Sequence, residues 1–145
     1  MFDHCRSIRV ESGMFMIYDR PGYMGHQHFM RRGDYSDYIS MTGMTDCVRS
    51  CRMIPVHNGS FRLRLYEHFD MSGTMMELSE DCTNLMNRFH VSNFNSCNVE
   101  GHWLVYEHSH YRGRHCYLRP GQYKSFNDWN GYSSKMGSIR RLKDL

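Results

Sequence analysis

Three tyrosines, Tyr18, Tyr66 and Tyr106, are each followed seven residues later by a glycine: Gly25, Gly73 and Gly113. A serine closes each unit (Ser50, Ser96 and Ser138), 25, 23 and 25 residues beyond that glycine. A fourth serine, Ser7 in Cys5-Arg6-Ser7-Ile8-Arg9-Val10, has the closing context without the tyrosine and glycine before it. The chain therefore reads as four repeats of about forty residues, the first without its opening. A repeat of this length points to several copies of one supersecondary unit, each needing a neighbour to bury its apolar face.

The second and fourth repeats superpose without a gap. A shift of 88 residues pairs Gly13 with Gly101, Tyr18 with Tyr106, Tyr23 with Tyr111 and Gly25 with Gly113. The same shift pairs Arg31 with Arg119, Gly33 with Gly121, Tyr35 with Tyr123, Gly43 with Gly131, Ser50 with Ser138 and Arg52 with Arg140. Short apolar runs around Phe15-Met16-Ile17 and Leu104-Val105-Tyr106, broken by Pro21-Gly22 and Pro120-Gly121, read as strands and turns. Several short strands per repeat predict an all-β, two-sheet antiparallel sandwich. The glycine after each tyrosine suits a folded-over hairpin needing positive φ, and the serine hydroxyl suits the loose backbone groups there. Pro55-Val56-His57-Asn58-Gly59-Ser60 reads as a connector. It divides the chain into domains 1–54 and 61–145, joined by a linker over 55–60.

Composition excludes several roles. Net charge is +3 and the basic residues are dispersed, which does not fit a nucleic-acid face. No run approaches the ~20 apolar residues of a membrane span. Asp3, Arg6, Arg9 and Glu11 argue against a secretory signal peptide. The six cysteines are accordingly expected to be reduced and mostly buried, in a cytoplasmic protein.

Several segments resemble the gamma crystallins, in particular the methionine-rich M type of fishes. They include Tyr18-Asp19-Arg20-Pro21-Gly22-Tyr23-Met24-Gly25, Phe29-Met30-Arg31-Arg32-Gly33-Asp34-Tyr35, Arg62-Leu63-Arg64-Leu65-Tyr66-Glu67 and Leu118-Arg119-Pro120-Gly121-Gln122-Tyr123. The resemblance implies two βγ-crystallin domains, each a pair of Greek keys in a two-sheet sandwich, in a monomer of the lens fibre cell cytoplasm. It places tyrosine corners at Tyr35 and Tyr123, and Trp103 and Trp129 in the C-terminal core, with Phe15 and Met41 in the corresponding N-terminal places. It implies a domain interface of Met16, Phe29 and Ile54 with Leu104, Tyr117 and Leu142. It also implies weak short-range contacts with other lens crystallins. Members of the family carry a further hairpin before the equivalent of Ser7. The N-terminal domain is thus expected to be incomplete and the less stable half.

Some domains of this type bind calcium through paired Asn/Asp residues ahead of a hydroxyl residue and the closing serine. The windows here read Phe2-Asp3-His4-Cys5-Arg6-Ser7, Thr45-Asp46-Cys47-Val48-Arg49-Ser50, Val91-Ser92-Asn93-Phe94-Asn95-Ser96 and Ser133-Ser134-Lys135-Met136-Gly137-Ser138. Arg6, Arg49 and Asn95 take the hydroxyl position, and arginine repels a hard cation that wants oxygen ligands. His26 with His28, and His108 with His110, are the only closely spaced histidine pairs, and no structural zinc spacing accompanies them. Phosphate loops, nucleophile elbows and His-Glu-x-x-His are absent, and Glu77-Leu78-Ser79-Glu80-Asp81 reads as a solvated loop. The expectation is a protein that is not an enzyme and has no cofactor or metal.

Thirteen methionines, twenty aromatic residues and a basic complement that is almost all arginine remain to be explained. Thioether, ring and guanidinium are the most polarizable side-chain groups, so their accumulation suits a protein that raises refractive index. The expected function is that of a lens structural protein, concentrated and transparent. A non-lens βγ-type binding protein with a weak metal or stress-related role is the alternative.

Overall fold

The computed structural model describes residues 7–35, 48–129, 131 and 133–143. Met41, Gly43, Cys5, Cys47 and the start of the first two serine windows lie outside these residues. The chain divides into two compact units, Met1–Val56 and His57–Lys143. The division falls between Val56 and His57, within the connector.

In the N-terminal unit, β1 (Ile8–Arg20) and β2 (Met24–Tyr35) form a hairpin, and β3 (Ser50–Ile54) pairs with the other edge of β1. Residues Met14–Tyr18 are covered on both sides of the sheet, which is why they read as an unbroken apolar run. Phe15, Ile17 and Met30 face one way and, with Val10, build the core of this unit. Gly13, with φ +83°, breaks the register of β1 against β2 between Val10 and Met14.

The C-terminal unit holds two sheets. In the first, β4 (Arg62–His68) pairs with β5 (Ser72–Leu78) and β6 (Ser96–Glu100), and β9 (Gly121–Tyr123) adds to β6. In the second, β7 (Trp103–His108) lies between β8 (Arg112–Leu118) and β10 (Ser138–Arg141). Each repeat lends a segment to the other's sheet: β9 pairs with β6, and Cys82 bridges to Ile139 on β10. This exchange gives the Greek key connection and the antiparallel, all-β sandwich. Leu63, Leu65, Leu78, Phe94, Trp103 and Ile139 are among the residues buried between the sheets, and Trp129 closes one end.

Two features depart from the sequence reading. Glu77 and Leu78 belong to β5, with Leu78 buried, so the acidic stretch is not wholly a loop. Alternation decides this: Met76 and Leu78 point inward while Met75 and Glu77 point out. A short helix, α1 (Leu85–Phe89), also interrupts the third repeat. The Asn84 side chain caps it by accepting from the Asn87 N–H at 3.1 Å, and His90 ends it at φ +59°.

Candidate functional site

Each repeat that carries the signature folds its hairpin the same way. Between Arg20 and Met24, between His68 and Ser72, and between His108 and Arg112, the chain turns in three residues. The last two of those three take the left-handed conformation: Gly22 and Tyr23, Asp70 and Met71, His110 and Tyr111. The closing serine then stitches the turn. Ser50 Oγ donates to the Arg20 carbonyl at 2.5 Å and accepts from the Tyr23 N–H at 3.1 Å. Ser96 does the same with His68 at 2.6 Å and Met71 at 2.9 Å. Ser138 repeats it with His108 at 2.7 Å and Tyr111 at 2.9 Å. One hydroxyl thus satisfies a donor and an acceptor that the tight turn leaves without strand partners.

The glycines answer to both backbone and space. Gly25, Gly73 and Gly113 have φ of +82°, +79° and +83°. A Cβ on Gly73 would lie 2.4 Å from the His68 ring, and one on Gly113 would lie 2.7 Å from the His108 ring. Tyr18 and Tyr106 are buried beneath the turns, with ring centroids 5.6 Å from those of Tyr23 and Tyr111. Tyr66, whose repeat has Met71 at the corresponding place, is half-buried.

Tyr123 folds back on its own strand entry. Its hydroxyl donates to the Arg119 carbonyl at 2.8 Å and accepts from the Arg119 N–H at 2.9 Å. Tyr35 makes the matching pair with Arg31, both at 3.3 Å. Burial pushes the Tyr123 phenol well above its ordinary range.

The six residues tied by resemblance to a domain interface share one position in each unit. Met16 stands directly opposite Phe29, and Leu104 directly opposite Tyr117, on the sheet face turned away from the core. Ile54 and Leu142 follow at the ends of β3 and β10. All but the half-buried Phe29 are buried.

The histidine pairs differ from each other. His26 and His28 lie two apart on β2, and burial with the neighbouring His26 lowers the His28 pKa to about 4. His110 sits in the turn beyond β7, so it does not share a strand face with His108, which contacts Glu107 at 3.0 Å. Among the described residues no group of three or more His, Cys, Asp or Glu is placed to hold a metal ion. Cys82, Cys97 and Cys116 are buried free thiols, and burial pushes Cys116 up to about 12. No helix among the described residues is long and apolar enough to cross a membrane.

Several contributors escaped the sequence reading. Arg52 lies over the Tyr23 ring at 4.4 Å and the Tyr18 ring at 5.5 Å, and Arg140 lies 5.6 Å from both Tyr106 and Tyr111. The shift of 88 residues pairs these arginines, a signal that could have marked them. Gly137 carries no such signal, since it has no counterpart before Ser50 or Ser96. A Cβ there would lie 2.3 Å from the His108 backbone.

The beta/gamma crystallin family model matches residues 1–54 and 62–142. The chain belongs to the beta/gamma crystallin family. Its likeness runs to the gamma crystallins. It is 51% identical to gamma-crystallin B of Bos taurus over 145 residues, which is 99% of this chain and 83% of that one. It is 54% identical to gamma-crystallin C of Rattus norvegicus over the same shares of the two chains. Among solved structures, a betagamma-crystallin from an archaeon matches at TM-score 0.51 and 25% identity, over 58% of this chain and 100% of that one. The serine-locked hairpins and tyrosine corners are therefore features of a crystallin sandwich, and they spend their polar groups on the backbone.

Proposed function

We propose that this crystallin is a structural constituent of the eye lens, a concentrated cytoplasmic protein of the fibre cell that raises refractive index without doing chemistry. The observation that carries the reading is its identity of about one half with gamma crystallins B and C along nearly the whole chain. Composition supports it in a second way. Met14, Met16, Met30, Met76 and Met136 are buried and fill the interior, but Met24, Met53, Met75 and Met86 are exposed. Those four thioethers serve no packing need, and they place polarizable, weakly hydrated groups at the surface. This methionine usage is what aligns the chain with the M type of fishes. The polar groups of the repeats are consumed in holding turns, and no nucleophile or paired carboxylate is left poised over a cleft. The protein is accordingly read as a non-enzyme without cofactor, nucleic-acid or membrane partner, meeting other lens crystallins through weak short-range contacts.

Differential refractometry tests the optical part. The expected refractive increment per unit mass lies above that of proteins of average composition, and an ordinary increment removes the reading. Antibody staining of ocular sections tests the setting. Confinement to lens fibre cells supports it, and abundance in many tissues overturns it.

A further inference from the structure

Strand β1 is partnered unequally along its length. Met14–Tyr18 pair with β2 on one side and with β3 on the other, whereas Ile8–Val10 pair only with Gly33, Asp34 and Tyr35 of β2. Among the described residues no strand lies along the other edge of residues 8–12. The equivalent strand of the C-terminal unit is β6, followed by Gly101 as residues 8–12 are followed by Gly13. Its two edges are both taken, by β4 and by β9.

The open edge borders a cavity of about 330 Å³, lined by the successive residues Ile8–Ser12 together with Phe15, Ile17 and Met30. Consecutive residues point to opposite faces of a sheet, so a cavity touching all five runs along the backbone edge. Backbone donors and acceptors beside an apolar hollow are a template for another strand, which would pair with them and fill the hollow with alternate side chains.

We propose that a second copy of this chain supplies that strand: Ile8–Ser12 of one molecule pairs antiparallel with Ile8–Ser12 of another, about a two-fold axis through Val10. Charge complementarity selects this occupant. In that register Arg9 of each copy stands opposite Glu11 of the other, and Val10 meets its own copy over the apolar hollow. Both charged side chains are exposed and point away from the core, and Arg9 already contacts Asp34 at 3.5 Å on its other side. The pairing extends an alternating row of charge across the joint sheet. A two-fold interface must be self-complementary, and the Arg9-Val10-Glu11 triplet is so on inspection. A small apolar molecule would fill the hollow but leave the strand edge unpaired. The inference goes beyond the lens reading and replaces the monomer that the resemblance implies.

Sedimentation velocity of the full chain, run with reductant so that exposed Cys51 cannot link copies, decides the matter. The expected result is a reversible dimer with slowed hydrogen exchange at residues 8–12. Arg9→Glu and Glu11→Arg should each weaken it by roughly tenfold or more, because each sets two like-charged pairs across the axis. An equimolar mixture of the two variants should recover the dimer, since every pair in the mixed species is opposite in sign. A general loss of folding would not give that recovery. The proposal is overturned by a monomer at all concentrations, by a dimer indifferent to both reversals, or by a mixture that stays dissociated. A monomer that takes up one equivalent of anilinonaphthalene sulfonate, with protection of residues 8–12, also overturns it and assigns the hollow to a small apolar ligand.

Discussion

The Tyr111 N–H donates to Ser138 Oγ at 2.9 Å, joining residues 27 apart in the chain, and that hydroxyl passes its own proton to the carbonyl of His108. A hairpin tip is thereby fastened to the strand that closes its Greek key. Met71 with Ser96, and Tyr23 with Ser50, repeat the arrangement. The signature in the sequence is the trace of this stitch: the serine marks where β3, β6 and β10 begin, and the glycine marks where the folded turn must be free of a side chain.

Removing the hydroxyl should cost most where water cannot replace it. Ser96 and Ser138 are fully buried, whereas Ser50 is half-buried. Ser96→Ala and Ser138→Ala should each destabilise the C-terminal unit by about 1–3 kcal/mol, the cost of stranding a buried donor and acceptor. Ser50→Ala should cost its own unit less. Urea titrations of the three variants check the order, and equal losses for Ser50 and Ser138 would contradict it.

Two glycines separate backbone strain from collision. Gly22 has φ +71° with nothing within 4 Å of a new Cβ, whereas Gly73 has φ +79° and the His68 ring at 2.4 Å. Gly22→Ala should lose about 1–2 kcal/mol from left-handed strain alone. Gly73→Ala should lose more, and the double variant with His68→Ala should recover the excess. No recovery in that double variant would show that the ring is not the obstacle.

What the sequence disclosed, and what it hid, follows from how often a feature recurs. Tyr18, Gly25 and Ser50 repeat at fixed spacing because each copy of the turn needs the same three things, so the hairpins could be read directly. Turns bounded the strands as well, and alternation kept Leu63 and Leu65 inward. The helix at Leu85–Phe89 occurs in one repeat only, and its cap, Asn84, is a residue equally at home in a loop. Gly137 likewise answers to one close approach of the His108 backbone, which no pattern within its own segment encodes. The stacking of Arg52 on Tyr23 joins β3 to a distant turn, and only the long-range repeat offered a hint of it.

The tyrosine corners should differ in weight. The Tyr123 hydroxyl is bonded at 2.8 and 2.9 Å and its residue is buried, while Tyr35 makes both bonds at 3.3 Å nearer to solvent. Tyr123→Phe should destabilise the C-terminal unit by about 1–3 kcal/mol, since it leaves the Arg119 groups unsatisfied. Tyr35→Phe should cost under about 1 kcal/mol, with water taking the place of the hydroxyl. Thermal melts of the pair test this, and a larger loss for Tyr35 would reverse the assignment.

The two units should not be equally durable. The core cluster of the N-terminal unit has Val10, Ile17 and Met30 as its buried members, against seventeen in the C-terminal cluster. Burial of apolar surface is the main favourable term in folding, so the smaller core should open first. Hydrogen exchange resolved by residue should show Met14–Tyr18 exchanging through a lower free energy than Trp103–Tyr106. Equal protection in the two strands, or a single cooperative melt of both units, would contradict the difference.

Acid should reach the N-terminal unit through His28. This histidine lies on β2 opposite Ile17, on the core face, and burial together with His26 lowers its pKa to about 4. An unfolded histidine takes its proton near pH 6.5. Between those values the unfolded chain binds more protons than the folded one, so stability rises with pH. The contribution is fully present above pH 6.5 and disappears as pH falls through about 4. Its full size is on the order of 3 kcal/mol. His28→Gln should flatten this part of the profile, with the mutant and parent stabilities converging near pH 4. Urea unfolding of the N-terminal unit at pH 7, 5.5 and 4 measures the slope. A parent profile as flat as that of the variant would show that His28 is protonated as readily in the folded chain as in the unfolded one.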